Sequence, residues 1–234
     1  MDKLFSCQRW LIISPHADDA ELGLGGSIAR ATEAGIEVHI AVVVLKGENH
    51  LRGQCYVSAS QRHQELAAAM ETAGAQYSVL NFVREGETFD LASSSLSVCI
   101  SQLDKLIDEI QPELIMMPVP SFHQEHQWVY QCCVAATRPT KPGNPLRLIA
   151  AYEYPPAGWG NSSSWDGSRG AIYINISRHL SAKISMLEQH QSQMSAADNA
   201  LISIDGVKRL ASFRGLEAGY DYAEMIYLMR GRID

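Results

Sequence analysis

The sequence predicts an α/β fold: a Rossmann-like three-layer sandwich with a mainly parallel sheet and an active site at the carboxyl ends of the strands. Three observations predict it. Short apolar runs alternate with segments of helical period, which is the order of a parallel sheet covered by helices. The run at 37–45 (EVHIAVVVL) is almost continuously apolar, as in a strand buried on both faces. Clusters of His, Asp and Glu directly follow two of these runs, where open parallel sheets bind ligands.

The individual elements follow from length, periodicity and end signals. The first strand is WLIIS at 10–14, and the helix after it ends at Gly35, because glycine is favoured just past a helix C-terminus. A serine-rich start and a terminal Gly74 bound the second helix. Further strands are predicted at 37–45, 76–82, 113–119, 146–155 and 171–177, and helices at 21–35, 58–74, 95–111, 126–137 and 179–193.

Composition bounds the class of protein. With 234 residues, 46% hydrophobic content and no flexible linker, the chain is expected to form one domain, 1–234. The net charge of −7 argues against a nucleic-acid binder, which needs a basic face.

No apolar stretch approaches the ~18 residues of a membrane span, and no secretory signal is evident, so we expect no membrane insertion and a cytoplasmic location. The five cysteines lack CxxC spacing and are expected to be reduced.

The stretch SPHADDAELGLGG places a histidine and two aspartates at the end of the first strand. One aspartate could cap the following helix, and His16 could be an ordinary turn residue. A cap accounts for only one aspartate, however, and Asp18 and Asp19 repel each other unless a cation lies among them. A divalent metal would supply that positive charge.

A second polar cluster, His123, Glu125 and His126, follows the strand at 113–119. If both strands are central and parallel, the two clusters meet above the sheet. Two imidazoles and one carboxylate, with a position left for water, are the composition of a catalytic zinc site. The expected ligands are His16, Asp19 and His126. Asp18 remains beside them as a candidate general base.

The remaining histidines and the glycines after Asp19 have structural explanations. An isolated histidine carries little functional information, so the remaining ones are interpreted as structural: His39, His50, His63, His179 and His190. Glycine costs about 1 kcal/mol in a helix, and close packing of the first helix on the sheet would offset that cost. A dinucleotide-binding GxGxxG that starts at Gly23 needs glycine at position 28, which is Ile28, so that site is not expected.

At these residues the chain resembles a known family. PHADDAELGLGG resembles the PHPDDxxLGxGG signature of LmbE-like/PIG-L deacetylases, zinc-dependent amidases that remove acetyl from N-acetylglucosaminyl groups. HQEH resembles the family's second motif, HPDH. The tail SQMSAADN…RLASFRGLEAGYDYAEMIYLMR is similar to its terminal SQ segment and RxRG…AGxxYAExF region, so the resemblance spans nearly the whole chain.

The resemblance implies a role for each matching residue. His16, Asp19 and His126 would bind one Zn²⁺ per chain, although iron(II), cobalt and manganese also suit such a site. Asp18 would act as the catalytic base. His123 would stabilise the oxyanion or protonate the leaving amine.

Three further positions concern the substrate and the support of the site. Arg62 lies in a helix that resembles the family's RxxEexxAaxxLG segment and would bind sugar hydroxyls; alternatively it pairs with Glu65 on the helix surface. Glu125 replaces the aspartate of HPDH and is one methylene longer, which re-aims a supporting hydrogen bond to an active-site histidine. The family's sugar-binding aspartate has no clean counterpart in NFVREGETF, where Glu85 is nearest.

The resemblance therefore implies a hydrolase of linear amides, an N-deacetylase whose partner is a small-molecule amino sugar of N-acetylglucosaminyl type or its conjugate. Acetate and a free amine are the products. Homo-oligomers occur among relatives, and the sequence leaves that state open. Trp159 and Trp165 in the loop at 155–170 could stack on a sugar or pack over the sheet. Two alternatives stay open: a metal-dependent amidohydrolase acting on a non-sugar amide, and a non-catalytic sugar-binding relative.

Overall fold

The computed structural model describes residues 4–49, 56–87, 89, 91, 94–139, 143–158, 170–197 and 199–232. Their strands are β1 Arg9–Ser14, β2 Glu37–Leu45, β3 Glu48–Asn49, β4 Tyr56–Val57, β5 Gln76–Phe82, β6 Leu114–Pro118, β7 Leu148–Tyr152, β8 Ala171–Asn175 and β9 Ala223–Gly231. Their helices are α1 Asp19–Glu33, α2 Ala59–Ala73, α3 Leu96–Ile110, α4 Gln124–Ala136, α5 Leu180–Leu187 and α6 Ile204–Ala218.

Seven of these strands form one sheet in the order β5-β2-β1-β6-β7-β9-β8. Every neighbouring pair from β5 to β7 is parallel, whereas β9 is antiparallel to both β7 and β8. The short strands β3 and β4 form a separate antiparallel pair. The predicted α/β fold with a mainly parallel sheet is confirmed.

Alternation along β1 divides the core into two layers. Trp10 and Ile12 point into an apolar cluster shared with α1, α2 and α5, while Leu11 and Ile13 point into a cluster shared with α3 and α4. Successive residues of a strand face opposite sides of a sheet, so one strand serves both layers. The two sets of helices cover the two faces, which gives the predicted three layers.

The position of β1 creates a crevice at the centre of the sheet. The chain passes from β1 to β2 on one side, while β6 pairs with β1 on the other side. Ligands of open α/β sheets bind where the strand order reverses in this way, beyond the carboxyl ends of the strands. The segments after β1 and β6 are therefore adjacent.

The glycines of α1 allow the helix to approach its neighbours closely. A Cβ atom at Gly23 would lie 2.5 Å from the Glu153 carbonyl oxygen, at the end of β7. A Cβ at Gly25 would lie 2.8 Å from the Lys183 side chain, and one at Gly26 would lie 2.7 Å from Ile176. Close packing, the function predicted for these glycines, is thus what the structure shows.

A buried ion pair ties the middle of α1 to the C-terminal strand. Glu224 in β9 accepts hydrogen bonds from the backbone N–H groups of Gly26 and Ser27, at 2.9 and 2.8 Å. Lys183 in α5 donates to Glu224 and to the Leu22 carbonyl oxygen. Because each charge has a partner inside the protein, the pair anchors α1 rather than leaving an unpaired buried charge.

One predicted helix is wrong in its C-terminal half. The pattern predicts a helix over 179–193, but α5 ends at Leu187. Beyond it, His190 contacts Glu21 and Ser192 donates to Glu65, so the segment bonds to α1 and α2 instead of continuing the helix. The other predicted elements match observed ones to within a few residues.

The described cysteines are Cys7, Cys99, Cys132 and Cys133, and all four are free and buried. Cys55 lies outside the described residues. In the described part of the chain, no helix has the length and apolar character that crossing a membrane requires.

The close approach at Gly23 gives a stability prediction. The Gly23→Ala change should lower the free energy of unfolding by about 1–3 kcal/mol, because a methyl group would collide with backbone as well as side chain. Urea unfolding measures this. Gly170→Ala is the control, since no atom lies within 4 Å of a Cβ there, and a change within about 0.5 kcal/mol is expected. Equal stability of both variants would contradict the packing role.

Candidate metal centre and active site

The ends of β1 and β6 bring three potential metal ligands together. His16 and Asp19 follow β1, and His126 lies in the first turn of α4, beyond β6. The Asp19 Oδ2 atom lies 3.0 Å from His16 Nδ1 and 3.2 Å from His126 Nε2. All three donor atoms lie within 4.8 Å of one another. The two motifs that the sequence singled out therefore meet at the crevice.

This donor set fits a divalent transition metal. Two imidazoles and one carboxylate are typical of catalytic zinc sites, where donors at 2.0–2.1 Å from a tetrahedral ion lie roughly 3.3 Å apart. The observed separations of 3.0 and 3.2 Å are close to that value. Asp19 and His126 are also buried, and a buried carboxylate needs a cation to compensate its charge. Metal ligation by these residues remains a prediction.

The contacts between the imidazoles and carboxylates of the site shift the pKa values of Asp19 and His16 in opposite directions. Burial alone would raise the pKa of Asp19, but His126 and His16 hold it well below its usual range. Burial would likewise lower the pKa of His16, yet hydrogen bonds to Asp19 and Glu125 outweigh it and raise that pKa to about 10. A metal ion that binds His16 Nδ1 would have to displace a proton from that nitrogen.

Glu125 supports His16 from the opposite side of the ring. Its Oε2 lies 2.6 Å from His16 Nε2, and its Oε1 accepts a hydrogen bond of 2.6 Å from Lys46 Nζ. Burial would raise the pKa of Glu125, but these contacts lower it to about 2. A carboxylate paired with a ligating histidine fixes the ring and raises its basicity. Lys46, directly after β2, is a site residue that the sequence analysis missed.

Asp18 is not used as a helix cap. It occupies the N-cap position of α1, but its side chain makes no capping hydrogen bond. The carboxylate of Asp19 instead accepts from the backbone N–H of His16. The capping alternative is therefore wrong for Asp18, which is left as a buried carboxylate directly beside a candidate ligand. Its role as a base is a prediction that this placement permits.

His123 faces the other two histidines of the site. The centroid of its ring lies 5.2 Å from that of His16 and 5.3 Å from that of His126. Burial, together with positive charge on His16 and His126, lowers the pKa of His123. A neutral imidazole donates one hydrogen bond at pH 7, which suits an oxyanion donor better than a proton donor to an amine.

Tyr154 orients His126, and the sequence analysis missed this residue as well. The two rings stack with centroids 4.5 Å apart. The Tyr154 hydroxyl shares a hydrogen bond of 2.7 Å with Ser121 Oγ, which fixes the tyrosine. His126 Nδ1 has no hydrogen-bond partner among the described residues, so stacking rather than a second hydrogen bond holds the ring.

Arg62 lies next to the site rather than in the metal cluster. Its Nη1 donates to the Lys46 carbonyl oxygen at 3.2 Å and to Glu48 Oε2 at 3.1 Å. The alternative pairing with Glu65 is wrong, because Glu65 accepts hydrogen bonds from Ser192. Arg62 is buried, and its Nε lacks a partner among the described residues. Sugar binding by Arg62 remains a prediction.

The histidines interpreted as structural lie outside the metal cluster wherever the structure describes them. His39 contacts Ser78, His63 contacts Tyr77, His179 contacts Glu33 and His190 contacts Glu21. His50, Trp159 and Trp165 lie outside the described residues.

A cavity of about 1080 Å³ lies elsewhere, lined by Leu4, Arg30, Arg147, Tyr173 and Leu228 among others. It shares no residue with the cluster of histidines and acidic side chains. The chemistry of the donors, not the volume of a cavity, therefore locates the candidate site.

Comparison with known proteins agrees with the two-motif site. Residues 11–137 match the family described as GlcNAc-PI de-N-acetylase (PIG-L), and this range contains both motifs. The uncharacterized deacetylase YaiS of Escherichia coli (strain K12) is 28% identical over 190 residues, which cover 78% of this chain and 90% of that protein.

Solved structures share the fold at low sequence identity. The N,N'-diacetylchitobiose deacetylase from Pyrococcus horikoshii has a TM-score of 0.70 and 19% identity, with 95% of this chain and 84% of that chain covered. GalB, the 4-carboxy-2-hydroxymuconate hydratase from Pseudomonas putida KT2440, has a TM-score of 0.72 and 18% identity, with 97% and 98% covered. Because one is a deacetylase and the other a hydratase, the fold alone does not specify the reaction.

The geometry of the three donors predicts which side chain determines metal affinity. His126→Ala should weaken zinc binding by more than about 100-fold, since even residues that only support ligands contribute 10–100-fold. Titration with zinc against a competing chelator measures the affinity. His63→Ala, a histidine outside the cluster, should leave it unchanged. Tight zinc binding by His126→Ala would show that His126 is not a ligand.

Proposed function

The chain belongs to the GlcNAc-PI de-N-acetylase (PIG-L) family, and from that premise we propose that it is a zinc-dependent hydrolase that removes the N-acetyl group from an amino sugar of N-acetylglucosaminyl type or its conjugate. One observation carries the proposal: the donor atoms of His16, Asp19 and His126 converge, and Asp18, the residue before Asp19, is buried and makes no capping hydrogen bond. The products are acetate and a free amine.

The metal would be held by His16 Nδ1, Asp19 and His126 Nε2, with one ion per chain. When bound, it supplies Lewis-acid polarisation of the amide carbonyl and of water. We propose zinc, although a site with two imidazoles and one carboxylate accepts other divalent transition metals. Glu125 orients His16 through the second ring nitrogen, which leaves Nδ1 directed at the centre.

The protein's own residues would carry out the proton transfers. Asp18 accepts the proton of the attacking water and later returns it to the departing nitrogen, so the same carboxyl serves as base and then as acid. His123 donates a hydrogen bond to the carbonyl oxygen as negative charge develops there. A donor in that position is often worth about 3 kcal/mol in the transition state.

The substrate class is supported by similarity rather than by a sugar-binding side chain. Pyrococcus horikoshii N,N'-diacetylchitobiose deacetylase shares the fold, and its name describes an N-acetylated sugar as its substrate. Within this chain, Arg62 is the candidate for contact with sugar hydroxyls. It is linked to the centre through Lys46, whose ammonium binds Glu125.

A second candidate function is hydrolysis of a non-sugar amide, and one observation favours it. Glu85, the nearest counterpart of the family's sugar-binding aspartate, accepts a hydrogen bond from the Ala59 backbone at the start of α2 and another from the Tyr56 hydroxyl. Each of its two carboxylate oxygens therefore already accepts a hydrogen bond from within the protein.

An acetate-release assay separates the two functions. Zinc-loaded protein is incubated with N-acetylglucosamine, N,N'-diacetylchitobiose, an N-acetylglucosaminyl conjugate and N-acetylated amino acids, and acetate and amine are measured together. The proposal expects equal amounts of both products from at least one 2-acetamido sugar. Turnover of the amino-acid amides alone would establish the second candidate instead.

Replacement of Asp18 tests its role in proton transfer. Asp18→Asn should lower kcat by about 10²–10⁴-fold, because general acid–base catalysis contributes that much. Zinc content per chain should stay at the wild-type value, since Asp18 is not among the three donors. Turnover and metal content are measured on the same preparation. Unchanged turnover would exclude Asp18 as the base, and loss of zinc would make it a ligand.

A further inference from the structure

Lys46 brings a second positive charge to the edge of the proposed metal centre. It follows the last residue of β2 and points its Nζ at Glu125 Oε1, 2.6 Å away. The side chain is only 29% exposed, and that of Glu125 is 14% exposed. Solvent and salt screen the attraction within a partly buried ion pair less than within an exposed one.

Glu125 also belongs to a second group of possible metal donors. Donor atoms of His16, His123 and Glu125 lie within 4.8 Å of one another. This outer group shares His16 with the inner group of His16, Asp19 and His126, and its other two donors are His123 and Glu125. Lys46 is the cation that contacts the Oε1 atom of Glu125 among the described residues, and its removal would leave that partly buried carboxylate oxygen without this partner.

We propose that Lys46 limits the centre to one metal ion, because its ammonium group occupies the cation position beside Glu125 in the outer group. The inference rests on the proposed function only in requiring that the inner group binds a metal. It concerns how many ions bind, which the reaction by itself does not determine.

Charge explains why one residue can decide the number of ions. With Lys46 present, the carboxylate of Glu125 is neutralised and both its oxygens are used, one by Lys46 and one by His16. A second divalent ion would have to displace the ammonium or lie beside it, next to the inner ion. Removal of the ammonium leaves a carboxylate and the imidazole of His123, which together attract a cation.

The experiment counts metal ions per chain. Wild type, Lys46→Met, Lys46→Arg and Lys105→Met are dialysed against an excess of zinc, and bound zinc is measured by mass spectrometry of the metal. Lys105 is an exposed lysine of α3 and serves as the matched control. We expect one zinc per chain in the wild type, in Lys46→Arg and in Lys105→Met. We expect two zinc ions per chain in Lys46→Met.

A double variant identifies the second site. Lys46→Met with His123→Ala should return to one zinc per chain, because a donor of the outer group is missing. Circular dichroism and urea unfolding establish that each variant is folded. The charge-conserving Lys46→Arg distinguishes a role in metal number from a merely structural one, since it restores the positive charge but not the shape of lysine.

Different results would overturn different claims. One zinc per chain in Lys46→Met, or two in the wild type, would overturn the inference about Lys46 and leave the deacetylase proposal standing. Two zinc ions in Lys46→Met that persist in the double variant would also overturn it, because the second ion would then lie elsewhere. No zinc in the wild type would overturn both the inference and the proposed metal centre.

Discussion

Parallel pairing of β1 with β6 is the constraint on which the site depends. The two strands are neighbours in the sheet although about a hundred residues separate them in the chain, and each is followed by a polar motif. That adjacency puts the Asp19 carboxylate within 3.2 Å of the imidazole of His126. A shift of register between the strands would separate the donors by the rise of a residue, about 3.3 Å, and would remove the three-donor geometry.

The site also depends on the position of α1, which is held in place by residues that are distant from it in the sequence. Glycines let the helix lie against β7 and α5, while Glu224 and Lys183 hold its middle from two other elements. Because Asp18 and Asp19 begin this helix, its position determines where they lie. The resemblance of the C-terminal tail to the family therefore has a physical explanation: β9 supplies the carboxylate that anchors the helix carrying the first motif.

Sequence reasoning succeeded where a residue's role follows from its position on a strand or helix. It predicted the parallel sheet from the alternation of strands and helices, and it predicted that His16, Asp19 and His126 meet if both preceding strands are central and parallel. Lys46 directly follows the predicted strand 37–45, so the same criterion applied to that strand would have found it. Tyr154 lies inside the predicted strand 146–155, and its position beyond the strand is apparent only because β7 ends at Tyr152. Pairings such as Arg62 with Glu48, or His190 with Glu21, could not be predicted, because they depend on how a turn and a helix end pack in three dimensions.

X-ray absorption at the zinc edge of the loaded wild-type protein tests the central claim most directly. The account predicts nitrogen and oxygen neighbours at about 2.0–2.1 Å, with the multiple-scattering pattern of two imidazole rings. The same spectrum of His126→Ala should show one ring. Sulfur neighbours at about 2.3 Å, or a first shell without imidazole, would contradict the assignment of His16, Asp19 and His126 as the metal ligands.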